Sequence, residues 1–258
     1  MSAEDPPAVD ARAFDLGSGR DAALCLHGLT GTPYEVRRLG EALAEHGVRA
    51  VGPCLPGHGG EPEALAEIPY EAWLEAARAR YRALRAEHER VFVLGLSLGG
   101  LLSLCLAAEE PDVDAVVAVG TPLQFHTRLV PLIPVVKRLL PYLRKRRGSD
   151  IRDPVARAVH PSMPVMPMAG VHELVKLQQR VRPLLAQIQA PILVAHGRLD
   201  YTAHPDDART IARTVGSPER ELCWLGNSGH VVPVDHDGPH LAARVAAFVT
   251  RSRRSPLR

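Results

Sequence analysis

Short apolar runs alternate with longer amphipathic segments along most of the 258-residue chain. A strand that is buried on both faces is apolar throughout, whereas an amphipathic helix repeats apolar residues every three or four positions. The apolar runs predict strands at residues 22–26, 48–51, 91–94, 113–119, 191–195 and 221–225. The amphipathic segments predict helices at residues 34–46, 70–87, 98–109, 205–215 and 239–250. This order predicts an α/β fold with a mostly parallel central sheet and helices on both faces.

The alternation of strands and helices stops at Thr121 and resumes near residue 190. Between these points the sequence has frequent prolines, short helical stretches and no clear strand. We therefore expect a core formed by residues 1–120 and 190–258, with residues 121–189 as an insertion that lies over the sheet.

The composition is that of an ordinary globular protein, and it excludes several classes of function. A hydrophobic fraction of 46% with 23% charged residues supplies a sizeable core and argues against a disordered chain. The formal net charge of +2 gives no broad basic surface, so no nucleic-acid partner is expected. The four cysteines are scattered without metal-binding spacing, and they predict neither a disulfide framework nor a metal site.

The sequence predicts neither a leader segment nor a membrane span. Its first residues are acidic and proline-rich and lack an apolar stretch, which is untypical of a signal peptide. All apolar runs are shorter than the ~18 residues that a membrane-spanning helix needs. We therefore expect a cytoplasmic protein without stable membrane insertion.

The segment between the predicted strand 91–94 and the helix that follows it has the pattern G-x-S-x-G, as Gly95-Leu96-Ser97-Leu98-Gly99. In this setting the strand-to-helix turn forces the serine into strained backbone angles and exposes its oxygen at the end of the sheet. The N-terminus of the following helix then faces the position where negative charge develops. A glycine–serine turn without chemistry is the weaker alternative, so Ser97 is the predicted nucleophile.

A serine nucleophile needs a base that is oriented by an acid, and in proteins with this turn the chain order is serine, acid, histidine. His230 follows the last predicted strand, and Asp200 is the first carboxylate after the strand before it. Both are expected at the carboxyl edge of the sheet, where ligands bind in α/β folds. Asp206 and Asp207 compete for the role of the acid, but they lie where the first turn of a helix favours carboxylates.

Acyl transfer also requires N–H donors for an oxyanion. One expected donor is the backbone N–H of Leu98, the residue after the predicted nucleophile. The other is the N–H of Leu29, because its loop begins with His27-Gly28 and its small residues allow a backbone N–H to turn inward. An ordinary glycine-rich turn is the alternative for this loop.

Cofactor and metal sites are not predicted. The chain has no GxGxxG pattern after its first strand, and the loop at residues 27–33 lacks the spacing of a phosphate-binding loop. His196 and His204 flank Asp200, but they do not form a recognised metal-ligand pattern. The sequence therefore predicts chemistry without a metal or a cofactor.

Four segments of the sequence resemble the bacterial carboxylesterase and monoacylglycerol lipase group of the α/β-hydrolase superfamily. They cover residues 24–43, 53–60, 91–104 and 221–237 and contain HGLTG, LPGHGG, GLSLGG and SGH. The resemblance spans nearly the whole chain and implies an α/β-hydrolase fold in which residues 121–189 form a small helical cap. It also implies the role of each site residue: Ser97 as nucleophile, Asp200 as acid, His230 as base, and Leu29 and Leu98 as oxyanion donors.

The function implied by this resemblance is a serine carboxylic-ester hydrolase that acts on short- to medium-chain acyl esters through an acyl-enzyme intermediate. A monoacylglycerol lipase is the first alternative, although residues 157–160 lack the carboxylate expected there for a glycerol head group. A thioesterase and a carbon–carbon bond hydrolase are further alternatives on the same fold. The expected partner is a small ester molecule, and the sequence predicts no particular oligomeric state.

The apolar and the basic residues of the expected cap each have two possible roles. Its apolar residues either line a substrate pocket or pack the cap onto the core; they are Leu129, Val130, Leu132, Ile133, Val135, Val136, Leu139 and Leu140. Its three methionines, at positions 163, 166 and 168, suit either an adaptable pocket wall or core filling. The basic residues at 137, 138 and 144–147 are expected to form a solvated face rather than a membrane contact.

Overall fold

The computed structural model describes residues 9–252 of the chain. The strands are β1 (Phe14–Leu16), β2 (Asp21–Leu26), β3 (Val48–Gly52), β4 (Arg90–Leu96), β5 (Ala115–Val119), β6 (Tyr142–Arg144), β7 (Val165–Pro167), β8 (Ile192–Gly197) and β9 (Arg220–Leu225). The helices are α1 (Tyr34–Glu45), α2 (Pro62–Ala66), α3 (Tyr70–Glu87), α4 (Leu98–Glu109), α5 (Ile133–Leu139), α6 (Pro154–Val159), α7 (Met168–Val181), α8 (Pro205–Thr214) and α9 (Gly238–Ser252). Short 3₁₀ turns cover Val130–Leu132, Arg182–Gln187 and Val232–Val234. Within the described residues, each helix is too short or too polar to cross a membrane.

The main sheet has the strand order β1-β3-β2-β4-β5-β8-β9. β1 is antiparallel to β3, with Phe14 opposite Gly52, and the other neighbouring strands run parallel. Parallel neighbours require long crossover connections, which the helices supply. The predicted mostly parallel sheet is confirmed, and the three-residue edge strand β1 is an addition that the sequence did not predict.

The two faces of the sheet carry separate hydrophobic cores, because successive side chains of a strand point to opposite faces. In β2, Ala22, Leu24 and Leu26 pack on the face covered by α3, α4 and α8. Ala23 and Cys25 pack on the other face, which α1 and α9 cover. All six residues of β2 are buried, which explains why the sequence is apolar without alternation from Ala22 to Leu26.

Residues 121–189 lie between β5 and β8 in the chain and contain α5, α6 and α7 together with the strands β6 and β7. The sequence predicted no strand in this segment, and that prediction is wrong. Tyr142 lies opposite Pro167, and Arg144 lies opposite Val165, in an antiparallel pair. Each strand has only three residues, β6 is exposed throughout and β7 ends at Pro167, so neither strand is long enough to be recognised from the sequence.

Most of the apolar residues around α5 have an environment that differs from both expectations. Ile133 is buried and packs with Met168 and Val175 of α7. Five of the others expose more than half of their area, and these are Leu129, Leu132, Val135, Leu139 and Leu140. A short helix that packs on one neighbour turns only one side inward, so its remaining apolar residues face solvent. They therefore neither fill the core nor line the cavity described below, which other residues form.

Candidate active site

The carboxyl ends of the parallel strands meet at one edge of the sheet, as they do in other α/β folds with a ligand site. A cavity of about 660 Å³ lies at this edge. Leu29 from the loop after β2, Ser97 from the end of β4 and His230 from the loop after β9 all line it. Residues of the 121–189 segment complete its wall.

Ser97 lies at the junction between β4, which ends at Leu96, and α4, which begins at Leu98. Its φ is +55° and its ψ is −110°, so it has a backbone conformation that residues with a side chain rarely adopt. The N–H of Ser97 donates to the carbonyl oxygen of Val119 at 2.8 Å, which ties the strained residue to β5. The strained strand-to-helix turn expected from the sequence is present.

Glycines on both sides of Ser97 leave the space that this turn needs. A Cβ atom on Gly95 would lie 2.1 Å from the carbonyl carbon of Gly99, and one on Gly99 would lie 2.0 Å from the carbonyl oxygen of Leu26. Both contacts are with backbone atoms, which cannot rotate aside as a side chain can. The close approach of α4 to β2 and β4 therefore requires glycine at both positions of the motif.

His230 and Asp200 are in direct contact at the same edge of the sheet. Nδ1 of His230 lies 2.9 Å from Oδ2 of Asp200, so Nδ1–H donates to the carboxylate and leaves Nε2 as an acceptor. The other carboxylate oxygen, Oδ1, accepts the N–H groups of Thr202 and Ala203, each at 2.8 Å. These hydrogen bonds fix the orientation of the carboxylate, and through it the orientation of the imidazole ring.

The charges of this pair shift the pKa values of both partners. Burial alone would lower the pKa of His230, but the adjacent Asp200 carboxylate outweighs it and raises that pKa above its ordinary value. Burial alone would raise the pKa of Asp200, whereas its contacts with His230 and His196 lower that pKa well below its usual range. Asp200 is therefore ionised at neutral pH.

The loop after β2 brings Leu29 to the cavity beside Ser97. A tight turn closes this loop, with the N–H of Gly31 donating to the carbonyl of Gly28 at 3.2 Å and Thr30 at φ +63°. A Cβ atom on Gly28 would lie 3.6 Å from Cβ of Ser97, so the loop packs directly against the serine. Leu98 is the first residue of α4, and its N–H therefore has no carbonyl partner within the helix.

Asp206 and Asp207, the two competing candidates for the acid, lie in the first turn of α8 as expected. Asp207 accepts the N–H of Leu123 at 2.9 Å and lies 2.9 Å from Nε2 of His126. The carboxylate that contacts His230 is that of Asp200.

Asp150 is a further residue of the site, and its sequence context predicted no role for it. Its carbonyl oxygen accepts the N–H groups of His230 at 2.9 Å and Val231 at 3.2 Å. Its side-chain Oδ2 accepts the N–H of Tyr201 at 2.9 Å, and burial raises the pKa of this carboxyl. Asp150 thus joins the loop of His230 to the loop that carries Asp200. A carboxylate after Gly-Ser is ordinary turn composition, so the sequence holds no signal for this role.

His196 and His204 contact neighbouring protein groups. Nε2 of His196 lies 3.0 Å from Oδ2 of Asp200. Nδ1 of His204 accepts the N–H of Asp206 at the start of α8. Among residues 9–252, no group of three or more His, Cys, Asp or Glu side chains is arranged to hold a metal ion.

Comparison with known protein families decides which family this arrangement represents. The model of the serine aminopeptidase S33 family, also called Hydrolase_4, matches residues 18–237, a range that includes Ser97, Asp200 and His230. The chain belongs to this family. As a member of the S33 family it is an α/β-hydrolase enzyme, in agreement with the fold predicted from its sequence.

Individual relatives match the S33-family chain over nearly its whole length. It is 30% identical to the thermostable monoacylglycerol lipase of Bacillus sp. (strain H-257), over 97% of this chain and 99% of the relative. It is 30% identical to the carboxylesterase of Bacillus subtilis (strain 168), over 89% of this chain and 92% of the relative. A structure of the metagenome-derived lipolytic enzymes LipS and LipT superposes with a TM-score of 0.89 at 27% identity, over 95% of this chain and 99% of that one. The predicted resemblance to this group of hydrolases is confirmed.

Proposed function

We propose that this S33-family chain is a serine carboxylic-ester hydrolase that acts on short- to medium-chain acyl esters. The observation that carries the proposal is the 2.9 Å contact between His230 and Asp200, beside a cavity that His230 shares with the strained Ser97. The ester substrate is supported by relatives named as a carboxylesterase and a monoacylglycerol lipase.

In the proposed acylation step, Oγ of Ser97 attacks the ester carbonyl while Nε2 of His230 accepts the hydroxyl proton. The carboxylate of Asp200 stabilises the imidazolium that forms. The oxyanion accepts hydrogen bonds from the backbone N–H groups of Leu29 and Leu98. His230 then gives the proton to the alcohol oxygen as the C–O bond breaks, and the acyl group remains on Ser97.

In the proposed deacylation step, water takes the place of the alcohol and attacks the acyl carbonyl. Nε2 of His230 accepts a proton from the water, and the same backbone donors stabilise the second oxyanion. The bond between the acyl carbon and Oγ of Ser97 breaks, and His230 returns its proton to Oγ. The carboxylic acid leaves, and the site is restored.

Residues 121–189 act in this proposal as a cap on a core formed by 1–120 and 190–258, of which residues 1–8 and 253–258 lie outside the described range. Leu143, Met166 and Met168 line the cavity and supply apolar surface for an acyl chain. The unbranched thioethers adapt to chains of different shape. Met163 differs, since it is buried in the larger core.

The experiment that tests this proposal is a series of p-nitrophenyl esters with acyl chains from about two to about eighteen carbons. We expect kcat/KM to be highest for short to medium chains, which a cavity of about 660 Å³ encloses in full. A maximum at the longest chains, or activation by emulsified triacylglycerol, would contradict the proposed substrate range.

The same series distinguishes the alternatives when it includes matched substrates. A monoacylglycerol that is hydrolysed faster than the simple ester of the same acid would favour the monoacylglycerol lipase alternative. An acyl thioester and an aminoacyl anilide, assayed beside the ester, test the thioesterase alternative and the peptidase activity that the family description mentions. The proposal requires the oxygen ester to have the highest kcat/KM of these three substrates.

A pH profile checks the protonation of His230. The base must be neutral to accept the serine proton, so kcat/KM should fall on the acid side as one group protonates. Burial alone would move this step to lower pH, but Asp200 raises the pKa of His230 above its ordinary value of about 6.5. We therefore expect the acid limb to have its midpoint above that value. A midpoint well below it, or a profile without an acid limb, would contradict the assigned base.

A further inference from the structure

A buried carboxylate fills the inside of the tight turn beside Ser97. Glu35 is the second residue of α1 and is only 4% exposed. Its Oε2 accepts the N–H of Gly28 at 2.8 Å. A Cβ atom on Gly31 would lie 2.2 Å from the carboxyl carbon of Glu35, so any side chain at position 31 would displace the carboxylate from this position. A buried carboxylate is costly unless it is hydrogen-bonded, and here its bond is to the backbone of the loop that carries Leu29.

The peptide unit between Gly28 and Leu29 is held by a second set of hydrogen bonds. The N–H of Leu55 donates to Nε2 of His27, which places the proton of this ring on Nδ1. Nδ1–H of His27 and the N–H of Gly31 then both donate to the carbonyl oxygen of Gly28, at 3.0 and 3.2 Å. Because a trans peptide is planar, its N–H points away from its carbonyl oxygen. The direction of the Leu29 N–H is therefore set by the groups that bind the carbonyl oxygen and the N–H of Gly28.

The 121–189 segment contacts the same turn from the opposite side. Nε2 of the buried His160 lies 3.1 Å from Oε1 of Glu35, and Nδ1 of this ring lies 2.6 Å from Oγ of Ser149. Nζ of Lys145 donates to Oγ1 of Thr30 at 2.6 Å. Thr30 has φ +63°, a conformation that persists only when its surroundings enforce it.

Glu35 is ionised in this setting. Burial alone would raise the pKa of its carboxyl, but the neighbouring His160, the nearby His27 and the hydrogen bond from Gly28 outweigh burial and lower it. A charged acceptor makes a stronger hydrogen bond to a backbone N–H than a neutral one does.

We propose that Glu35 is a positioning residue for the oxyanion donor: it holds Gly28 so that the N–H of Leu29 points at the reacting carbonyl oxygen, and His160 holds Glu35 in place. This inference rests on the proposed function, because it assigns Leu29 as a donor. Glu35 lines the cavity, and its carboxylate accepts the N–H of Gly28 in the loop that carries Leu29. Its loss should therefore weaken stabilisation of the transition state and leave ground-state binding of the ester nearly unchanged.

The test compares Glu35→Gln with Glu35→Asp. Glutamine loses the charge but keeps an oxygen that reaches the N–H of Gly28, whereas aspartate keeps the charge and is one methylene too short. We expect Glu35→Asp to lower kcat by about 10- to 100-fold with KM within about 3-fold of wild type. In Glu35→Gln the neutral oxygen makes a weaker hydrogen bond to Gly28 but keeps its position, so kcat should fall by less, to within about 5-fold of wild type. Full activity in Glu35→Asp, or a loss in Glu35→Gln as large as that in Glu35→Asp, would overturn the positioning role.

A matched control separates positioning from general stability. Oδ2 of Asp114 accepts the N–H of Val91 at 2.8 Å at the other end of β4, away from the cavity. Asp114→Ala should lower the melting temperature and leave kcat unchanged. If Glu35→Asp does not fold, Glu35→Gln decides alone, because a loss of more than about 10-fold in its kcat contradicts the proposal.

The inhibition constant of an oxyanion mimic provides a further test, because a purely structural role of Glu35 would leave this constant unchanged. An alkyl boronic acid forms a tetrahedral adduct with a nucleophilic serine and places a negative oxygen where the oxyanion forms. Its inhibition constant should rise in proportion to the loss of kcat in Glu35→Asp, while inhibition by the product acid stays unchanged. An inhibition constant for the boronic acid that is the same in Glu35→Asp as in wild type would overturn the inference. If Ser97→Ala hydrolyses the ester at the wild-type rate, the proposed function itself fails. This result is distinct from a failure of the positioning role, which the Glu35 variants test.

Discussion

Ser97→Ala is expected to lower kcat for ester hydrolysis by about 10⁴- to 10⁶-fold. The substitution removes only the Oγ atom that would form the acyl-enzyme, and it leaves the turn between β4 and α4 with its glycines. The residual rate would come from the oxyanion donors and from substrate binding. The measurement is the initial rate at saturating short-chain ester, on protein whose melting temperature matches that of wild type.

Ser103→Ala is the matched control for this substitution. Ser103 lies on α4 and is buried, and its Oγ donates to the carbonyl of Gly99 at 2.8 Å. The substitution removes a hydroxyl group from the same helix, and this hydroxyl group does not line the cavity. We therefore expect kcat to stay within about 2-fold of wild type. More than about a tenth of wild-type activity in Ser97→Ala would show that another group carries the reaction.

Asp200→Asn is expected to lower kcat by about 10⁴-fold. Asparagine keeps the shape of the side chain, but the neutral amide no longer stabilises an imidazolium on His230. An amide NH₂ group that faces Nδ1 also favours the tautomer with its proton on Nε2, which cannot accept the proton of Ser97. The charge that raises the pKa of His230 is lost as well, so the acid limb of any remaining activity should move to lower pH.

Asp207→Asn is the control for this prediction, because Asp207 is also a buried carboxylate beside a histidine. It accepts the N–H of Leu123 and contacts His126. We expect it to lower the melting temperature and to leave kcat nearly unchanged. If both variants reduced kcat to the same extent, the loss in Asp200→Asn would reflect stability and not the orientation of His230.

The core of the fold could be predicted because its strands are buried on both faces. A strand such as β5 is apolar at every position, and helices such as α1 separate the core strands along the chain. The candidate nucleophile could be predicted for a related reason. A strained residue such as Ser97 needs glycine at fixed distances, and a glycine pattern is visible in the sequence.

The parts that could not be predicted depend on contacts between distant segments. The strands β6 and β7 are held by pairing across more than twenty residues, and each has only three residues. Asp150 accepts backbone N–H groups from a loop that is distant in the sequence, and Glu35 accepts one from the loop just before its own helix. The residue type alone does not reveal either hydrogen bond. The exposure of the apolar residues around α5 could not be predicted either, because apolar side chains are normally expected to be buried and most of these are not.

The most direct test of the central claim is to identify the atom that carries the acyl group. Wild-type protein is mixed with a slowly hydrolysed p-nitrophenyl ester, quenched in acid, and examined by intact-mass and peptide mass spectrometry. The proposed mechanism predicts one added acyl group per chain, located on Ser97, present in Ser103→Ala and absent in Ser97→Ala. An acyl group on a different residue, or continued ester hydrolysis without any acylated Ser97, would contradict it.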